Sequence, residues 1–353
     1  MNTVLVTGGC GYIGSHTCIN LLENNYKILI IDSLINSSRN TFSKIKALLD
    51  KKGIDFEGKI TFIEGDLRNK EWLNQIFLKY SETNNPIKSV IHFAGLKAIN
   101  SSIKLPLEYW EMNISSTLSL LSVMKKFHCF SIIFSSSATV YKPNGLNLLK
   151  EDDLLEPKTP YGKTKLTIEN ILKDLFMSDK ENWKIANLRY FNPVGAHPSG
   201  MIGENLNGDV SNLFPSIMRT IKGEQKSLLV FGNDWHTYDG TCIRDFIHVM
   251  DLADSHLRSL DFLLKNKSQL ITLNIGTGKG HSVLELIKTF EIVNKVKVPF
   301  IFSNRREGDS CKLIANISKA KSILNWVPKR SLEDMCISGW SWKSKNPNGY
   351  ESA

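Results

Sequence analysis

Asn2-Thr3-Val4-Leu5-Val6-Thr7-Gly8-Gly9-Cys10-Gly11-Tyr12-Ile13-Gly14 is the stretch that decides the fold. The apolar run Asn2–Thr7 stops at a glycine cluster, and Ser15–Asn24 then carries helical spacing. A strand, a glycine turn and a helix form the context that raises a glycine motif above chance. Glycines let the backbone turn tightly and approach a pyrophosphate, which then sits on the helix N-terminal amides. The next apolar run, Lys27–Ile31, ends at Asp32, eighteen residues past Gly14. A carboxylate there accepts hydrogen bonds from an adenosine ribose and repels a 2′-phosphate, which favours NAD over NADP.

Working outward, the alternation continues. Ile60–Glu64 reads as a strand ending near Asp66, with a helix around Lys70–Tyr80. Ser89–Phe93 is a strand ending in Ala94-Gly95, a long helix covers Pro106–Phe127, and Phe130–Phe134 is a strand ending at Ser135-Ser136-Ser137. Helix Tyr161–Met177 and strand Lys184–Arg189 complete the pattern. Repeated βα units call for an α/β fold with a doubly wound parallel sheet, whose sites lie at the carboxyl ends of the strands. Gly8–Gly14, Asp32, Asp66, Gly95, Ser137 and Asn192 all fall at such ends and should converge on one crevice. From about Phe191 glycine, proline and asparagine become frequent and the elements shorten. The expected division is 1–190 for dinucleotide binding and 191–353 for a smaller mixed α/β lobe, with no sharp linker and a chain that crosses back.

The chain has 353 residues, 42% hydrophobic and 22% charged, as in soluble globular proteins. No apolar run has the length of a membrane span, so no membrane partner is expected. The cysteines at 10, 18, 129, 242, 311 and 336 are scattered without a Cys-x-x-Cys pair, suiting buried thiols in a reducing cytoplasm. A net charge of +9 raises the possibility of nucleic acid, but basic residues never run longer than two and do not interleave with aromatics. The expectation is no nucleic acid and an anionic small substrate.

Thr159-Pro160-Tyr161-Gly162-Lys163-Thr164-Lys165 opens a helix: Thr159 can cap it and Pro160 suits its first position. Tyr161 and Lys165, four apart, share a face. An ammonium beside a phenol favours the phenolate, so the pair is expected to draw the tyrosine pKa down from about 10 towards working pH. Alone, the spacing favours an ordinary surface helix; the glycine turn and Asp32 give it a cofactor to work beside.

Several blocks now carry a family resemblance: Val6–His16, His92–Ala98, Phe134–Tyr141, Pro160–Lys165, Leu188–Gly200, Gly240–Val249 and Arg305-Arg306-Glu307-Gly308-Asp309. Together, in order from Val4 to about Trp342, they resemble the UDP-glucose 4-epimerase family of the extended short-chain dehydrogenase/reductases. The resemblance implies a tightly held NAD and the interconversion of UDP-glucose and UDP-galactose. C4 of the sugar is oxidised, the 4-keto sugar swings about its diphosphate link, and hydride returns to the other face. By the same resemblance Tyr161 takes the 4-hydroxyl proton, Ser137 hydrogen-bonds the reacting oxygen, and Lys165 holds the nicotinamide ribose. The implied NAD contacts are Gly8, Gly11, Tyr12, Ile13, Gly14, Asp32, Ser33, Asn36, Ser37, Asp66, Leu67, Phe93, Ala94, Gly95, Lys97, Asn113, Ser137, Tyr161, Lys165 and Phe191. The implied UDP-sugar contacts are Ser137, Tyr161, Asn192, Asn212, Leu213, Leu229, Val230, Phe231, Arg244, Arg306, Asp309 and Leu313.

The related nucleotide-sugar dehydratases also oxidise C4 but then eliminate water, which needs an added acid and base. In them an Asp-Glu pair follows the residue matching Ser137; here Ala138 and Thr139 stand there, and neither works as an acid or base near neutral pH. A non-catalytic NAD-binding sensor, the remaining alternative, would be expected to lack Tyr161 or Lys165. His16, His92, His197 and His248 have no ligand-like spacing and are expected to be structural, so no metal is expected. Four departures from the family stand out: Ser33 where Asn is usual, Lys142 in place of a glycine, an expanded surface segment near Lys51–Lys59, and Leu313. The position of Leu313 resembles a gatekeeper beside the sugar, and leucine there implies that N-acetylated sugars are turned over weakly at best. Family resemblance also implies a homodimer through the Pro106–Phe127 and Tyr161 helices.

Overall fold

The computed structural model describes residues 2–142, 148–205, 212–306 and 309–350. In chain order the first elements are β1 (Thr3–Thr7), α1 (Tyr12–Glu23), β2 (Lys27–Asp32), α2 (Arg39–Lys51), β3 (Ile60–Glu64), α3 (Lys70–Ser81) and β4 (Ile87–His92). Then come α4 (Ile99–Lys104), α5 (Pro106–Trp110), a π-helical turn at Glu111–Ser115, α6 (Ser116–Lys126), β5 (Ser131–Ser137), α7 (Pro160–Ser178) and β6 (Lys184–Tyr190). Past residue 190 follow β7 (Asn192–Val194), α8 (Leu213–Ile221), β8 (Leu228–Phe231), β9 (Ile243–Arg244), β10 (Phe246–His248), α9 (Val249–Lys265) and β11 (Gln269–Ile275). The chain closes with β12 (His281–Ser282), α10 (Val283–Asn294), β13 (Phe300–Ser303), β14 (Lys312–Leu313), α11 (Ser318–Leu324) and α12 (Leu332–Lys345).

A seven-stranded sheet in the order β11-β6-β5-β4-β1-β2-β3 is parallel throughout. Its strands read as continuous apolar runs because both faces are covered. Alternate residues divide cleanly: Val4, Val6, Ile28, Ile30, Ile133 and Leu188 pack on one face with Cys18 and Leu22 of α1 and Leu257 and Leu260 of α9. Leu5, Leu29, Ile31, Val90, Ile132 and Ile185 pack on the other with Phe77 of α3, Met124 of α6 and Leu172 of α7. The order reverses between β1 and β4, which opens the crevice where such sheets bind ligands.

The seventh strand, β11, comes from well past residue 190 and pairs with β6 from Gln269↔Lys184 to Ile275↔Tyr190. The other strands past 190 make small sheets, including a mixed one in which β9 pairs parallel with β14 and antiparallel with β12. These rest on a separate core of Phe214, Ile217, Leu228, Phe246, Leu286, Phe290 and Met335.

Several boundaries differ from expectation. α1 begins at Tyr12 rather than Ser15, directly on Gly11. Nothing in the apolar spacing announced α2, which Ser38 caps through a bond from the Asn40 N–H. The expected Pro106–Phe127 helix contains the π turn, preceded by the separate α4. After α2 the chain runs irregularly to Lys59, the surface segment foreseen there. Residues 143–147, which include the start of the Asn144–Leu155 loop expected to run differently after Lys142, lie outside the described residues, as do Glu307 and Gly308.

Candidate active site

The glycine turn is set by crowding. Gly8 has φ +70°, and a Cβ there would lie 2.8 Å from the Ala94 nitrogen; one on Gly14 would lie 2.3 Å from the Gly8 carbonyl. Both substitutions are excluded, so β1, β4 and α1 meet at backbone distance. Gly11 offers α1 no side-chain cap, and the first turn carries no acidic residue. Its amides are therefore available to an anion. Asp32, 7% exposed at the end of β2, accepts the Cys10 N–H at 2.9 Å, the Leu34 N–H at 3.0 Å and the Ser37 hydroxyl at 2.8 Å. A carboxylate has about four acceptor positions, which leaves room for a ribose hydroxyl. Backbone cradle, uncapped helix end and carboxylate together fit a dinucleotide. Ser33 and Asn36, expected beside the cofactor, are exposed, and it is Ser37 that reaches Asp32.

At the end of β3, Asp66 is chelated by Arg68 at 2.7 to 3.2 Å, and the guanidinium holds its carboxyl below the usual range. Leu67 beside it is buried. Arg68 is not among the expected contacts, though a cation two residues from an acid is a short-range signal. At the end of β4, Gly95 faces Asn113, whose Oδ1 accepts the Leu96 N–H at 2.7 Å and whose Nδ2 donates to Thr164 at 3.0 Å. Asn113 sits in the π turn, so the widened helix aims an amide between the β4 loop and α7. Ile13 and Phe93 pack against the buried core beside the turn. Tyr12 donates to the Gly195 carbonyl at 2.6 Å, and Lys97 pairs with Glu204 at 2.9 Å. Phe191, buried just past the end of β6, donates its N–H to the Ile275 carbonyl at 3.1 Å.

Thr159 accepts the Gly162 N–H at 3.3 Å, and Pro160 fills the first turn of α7. A Cβ on Gly162 would lie 2.8 Å from the Thr139 carbonyl, so glycine lets α7 close on the end of β5. That approach brings Tyr161 to Ser137. Burial pushes the Tyr161 phenol up to about 12, while the Ser137 hydroxyl beside it pulls the other way. Lys165 is buried; its Nζ donates to the Ser135 carbonyl at 2.7 Å and lies 5.7 Å from the Tyr161 ring centroid. Burial lowers the lysine to about 8. The expected drop in the tyrosine pKa is therefore overturned for the protein alone: burial outweighs the pull of Ser137. Ser137 Oγ also accepts Thr139 N–H at 3.2 Å and Thr139 Oγ1–H at 3.0 Å.

Across the crevice, β9 and β14 set Leu313 beside Arg244. Arg244 donates to the Ser310 carbonyl at 2.8 Å and reaches Asp309 at 3.4 Å. The Arg306 guanidinium lies 3.9 Å over the Phe231 ring; burial and the charge of Arg244 lower its pKa, and Asp309 opposes them. Two forked cations around one carboxylate suit an anionic ligand. Along β8 Leu229 is exposed and Val230 buried, as strand alternation requires. Asn212 is exposed at the start of α8, next to Leu213, and Asn192 donates its N–H and Nδ2–H to the Asp245 carbonyl.

His92, His197 and His248 each bond a hydroxyl side chain. His92 bonds Thr7 at 2.7 Å and Thr117 at 3.0 Å, and burial lowers it to about 3. His248 bonds Ser338 and His197 bonds Ser199. Five of the six cysteines are buried, Cys311 being partly exposed.

A family model described as GDP-mannose 4,6 dehydratase matches residues 5–338. The chain is 46% identical to UDP-glucose 4-epimerase of Bacillus subtilis over 350 residues, 99% of each chain. It is 45% identical to UDP-glucose 4-epimerase of Dictyostelium discoideum, covering 99% of this chain and 98% of that one. Among solved structures, UDP-glucose-4-epimerase from Stenotrophomonas maltophila, with bound NAD and formylated UDP-arabinopyranose, superposes with TM-score 0.92 at 40% identity, covering 98% and 99% of the two chains. UDP-glucose 4-epimerase from Bifidobacterium longum, in complex with NAD+ and UDP, gives 0.89 at 42%, covering 99% and 100%. The chain belongs to the UDP-glucose 4-epimerase family.

Proposed function

We propose that this chain is an NAD-dependent enzyme that interconverts UDP-glucose and UDP-galactose by reversible oxidation at C4. The observation that carries the reading is Tyr161 brought to Ser137, with Ala138 and Thr139 beside them in place of an acid–base pair. NAD, when bound, accepts the C4 hydride and gives it back, and its oxidised ring adds a positive charge to the site.

The remaining work falls to the chain. Tyr161 Oη takes the proton of the sugar 4-hydroxyl and returns it after the 4-keto sugar has turned over. Its high resting pKa makes the phenol the stable form of the protein alone, which guards the base until the site is filled. Ser137 hydrogen-bonds the reacting oxygen, and Lys165, anchored on Ser135, holds the cofactor ribose. Thr139 is already bonded to Ser137 and has no group that could remove a C5 proton, so oxidation is followed by reversal and not by elimination. Arg244 and Arg306 hold the diphosphate, Asn192, Asn212, Leu213 and the Leu229–Phe231 strand line the nucleotide end, and Leu313 limits the sugar. The remaining cofactor contacts are those built above: Gly8–Gly14, Asp32, Ser37, Asp66, Gly95, Lys97 and Asn113.

No helix among the described residues is long and apolar enough to cross a membrane. The unpaired cysteines support placement in the cytoplasm. A homodimer is supported by the groove between α6 and α7, lined by Leu118, Leu121, Ile171 and Leu175. Incubating the protein with UDP-galactose and no added nucleotide tests the reading: UDP-glucose is expected, whereas a free 4-keto-6-deoxy sugar from UDP-glucose would overturn it.

A further inference from the structure

The chemistry assigned above leaves out a fully buried carboxylate at the substrate end of the crevice. Asp245 has 0% exposure and lies between Arg244 and Phe246. Its Oδ1 accepts the Thr277 N–H at 2.7 Å and the Thr277 hydroxyl at 2.6 Å. Its Oδ2 accepts the Gly278 N–H at 3.0 Å and the Ala315 N–H at 3.1 Å. The backbone of the same residue is equally committed: its N–H donates to the Leu313 carbonyl at 3.1 Å, and its carbonyl accepts the Asn192 N–H at 3.0 Å and Nδ2–H at 3.1 Å. Gly276 makes room for this, since a Cβ there would lie 2.5 Å from Oδ2. One residue thus ties together the segments that carry Asn192, Arg244 and Leu313.

We infer that Asp245 is the positioning residue that fixes the Leu313 wall against the sugar and so sets how large a hexose the site accepts. Beyond Leu313 the strand is clamped on its other edge too, where Leu149 donates to the Ile314 carbonyl at 2.8 Å and accepts from Asn316 at 2.8 Å. Asp245 supplies the side that faces Arg244. A carboxylate is needed because three of its four contacts are backbone N–H donors: an amide would turn its NH₂ towards at least one of them and leave a buried donor unmatched. The wall then yields, and a bulkier sugar gains more than a smaller one.

The inference rests on the epimerase reading, and the test separates the two. kcat/KM is measured for UDP-galactose and UDP-N-acetylgalactosamine with the unmutated enzyme, Asp245→Asn and Thr277→Val, alongside bound NAD. The ratio of the second substrate to the first does not depend on the fraction of enzyme that is folded, so a merely structural loss leaves it still. We expect the ratio to rise about tenfold in Asp245→Asn and about threefold in Thr277→Val, with NAD content unchanged. An unchanged ratio in both variants overturns the inference. Should Asp245→Asn fail to fold, Thr277→Val, which removes one hydroxyl and keeps the charge, decides alone. No turnover of either sugar by the unmutated enzyme would instead remove the epimerase reading, and this inference with it.

Discussion

Tyr161→Phe removes one oxygen from the centre of the proposed chemistry and leaves the ring that packs at the start of α7. The Ser137 hydroxyl stands beside the phenol oxygen and keeps its two bonds from Thr139, so the fold should lose no more than about 1 kcal/mol. The kinetic loss should be far larger. With a pKa of about 12, the phenol of the protein alone is ionised in only about one molecule in 10⁵ at pH 7, a gap of roughly 7 kcal/mol. Turnover therefore requires the filled site to lower that gap, and a residue so tuned acts as a general base worth about 10²–10⁴-fold, or about 3–5 kcal/mol on the barrier. The assay follows UDP-galactose conversion by NMR, with bound NAD and UDP affinity measured on the same preparation. We expect kcat to fall by that range while both binding quantities stay within about twofold. Turnover within about threefold of the unmutated enzyme would refute the reasoning and move the proton transfer to another group.

Three further outcomes follow from the packing. Glu169 and Arg189 form a pair 6% and 4% exposed, joined by Ser136 and Tyr141; Glu169→Gln should cost about 3–5 kcal/mol in urea unfolding, and a loss under about 1 kcal/mol would show the pair to be dispensable. Burial lowers His16 and His256 to about 4 and His92, His197 and His248 to about 3, so the unfolded chain binds more protons below about pH 6.5. Stability present above that pH is then lost as pH falls, by about 1.4 kcal/mol per histidine at pH 5.5, with Asp245, pushed up to about 6, working in the opposite sense; equal urea midpoints at pH 7.5 and 5.5 would contradict this. Leu118 is 48% exposed in the α6–α7 groove, and Leu118→Glu should convert a dimer to a monomer by light scattering, an unchanged mass speaking against that interface.

The sheet was legible because both its faces are buried, so its strands stand out as short apolar runs ending in glycine, serine or a carboxylate. Helix α2 was not, because only Thr41, Ile45, Leu48 and Leu49 are buried in a segment where polar and charged residues predominate. The π turn left no mark on the 3.6-residue spacing, yet it is what delivers Asn113. At the site, Asp32 and Ser137 could be read from their places at strand ends. The tyrosine pKa could not: spacing put Lys165 on the same face, but burial, opposed by Ser137, decides it. Asp245 carried a signal in retrospect, since a carboxylate inside the run Ile243–Ile247 must find buried donors. Those donors, at residues 277, 278 and 315, are too distant in sequence for spacing to supply.

The central claim is that hydride leaves C4 and comes back within one enzyme-bound cycle. UDP-galactose carrying deuterium at C4, mixed with UDP-galactose that has no deuterium and is labelled by ¹³C elsewhere in the sugar, tests it directly. The expected product is UDP-glucose in which deuterium stays at C4 of the molecule that brought it. Deuterium washed out into water, or found on the ¹³C-labelled molecules, would contradict it.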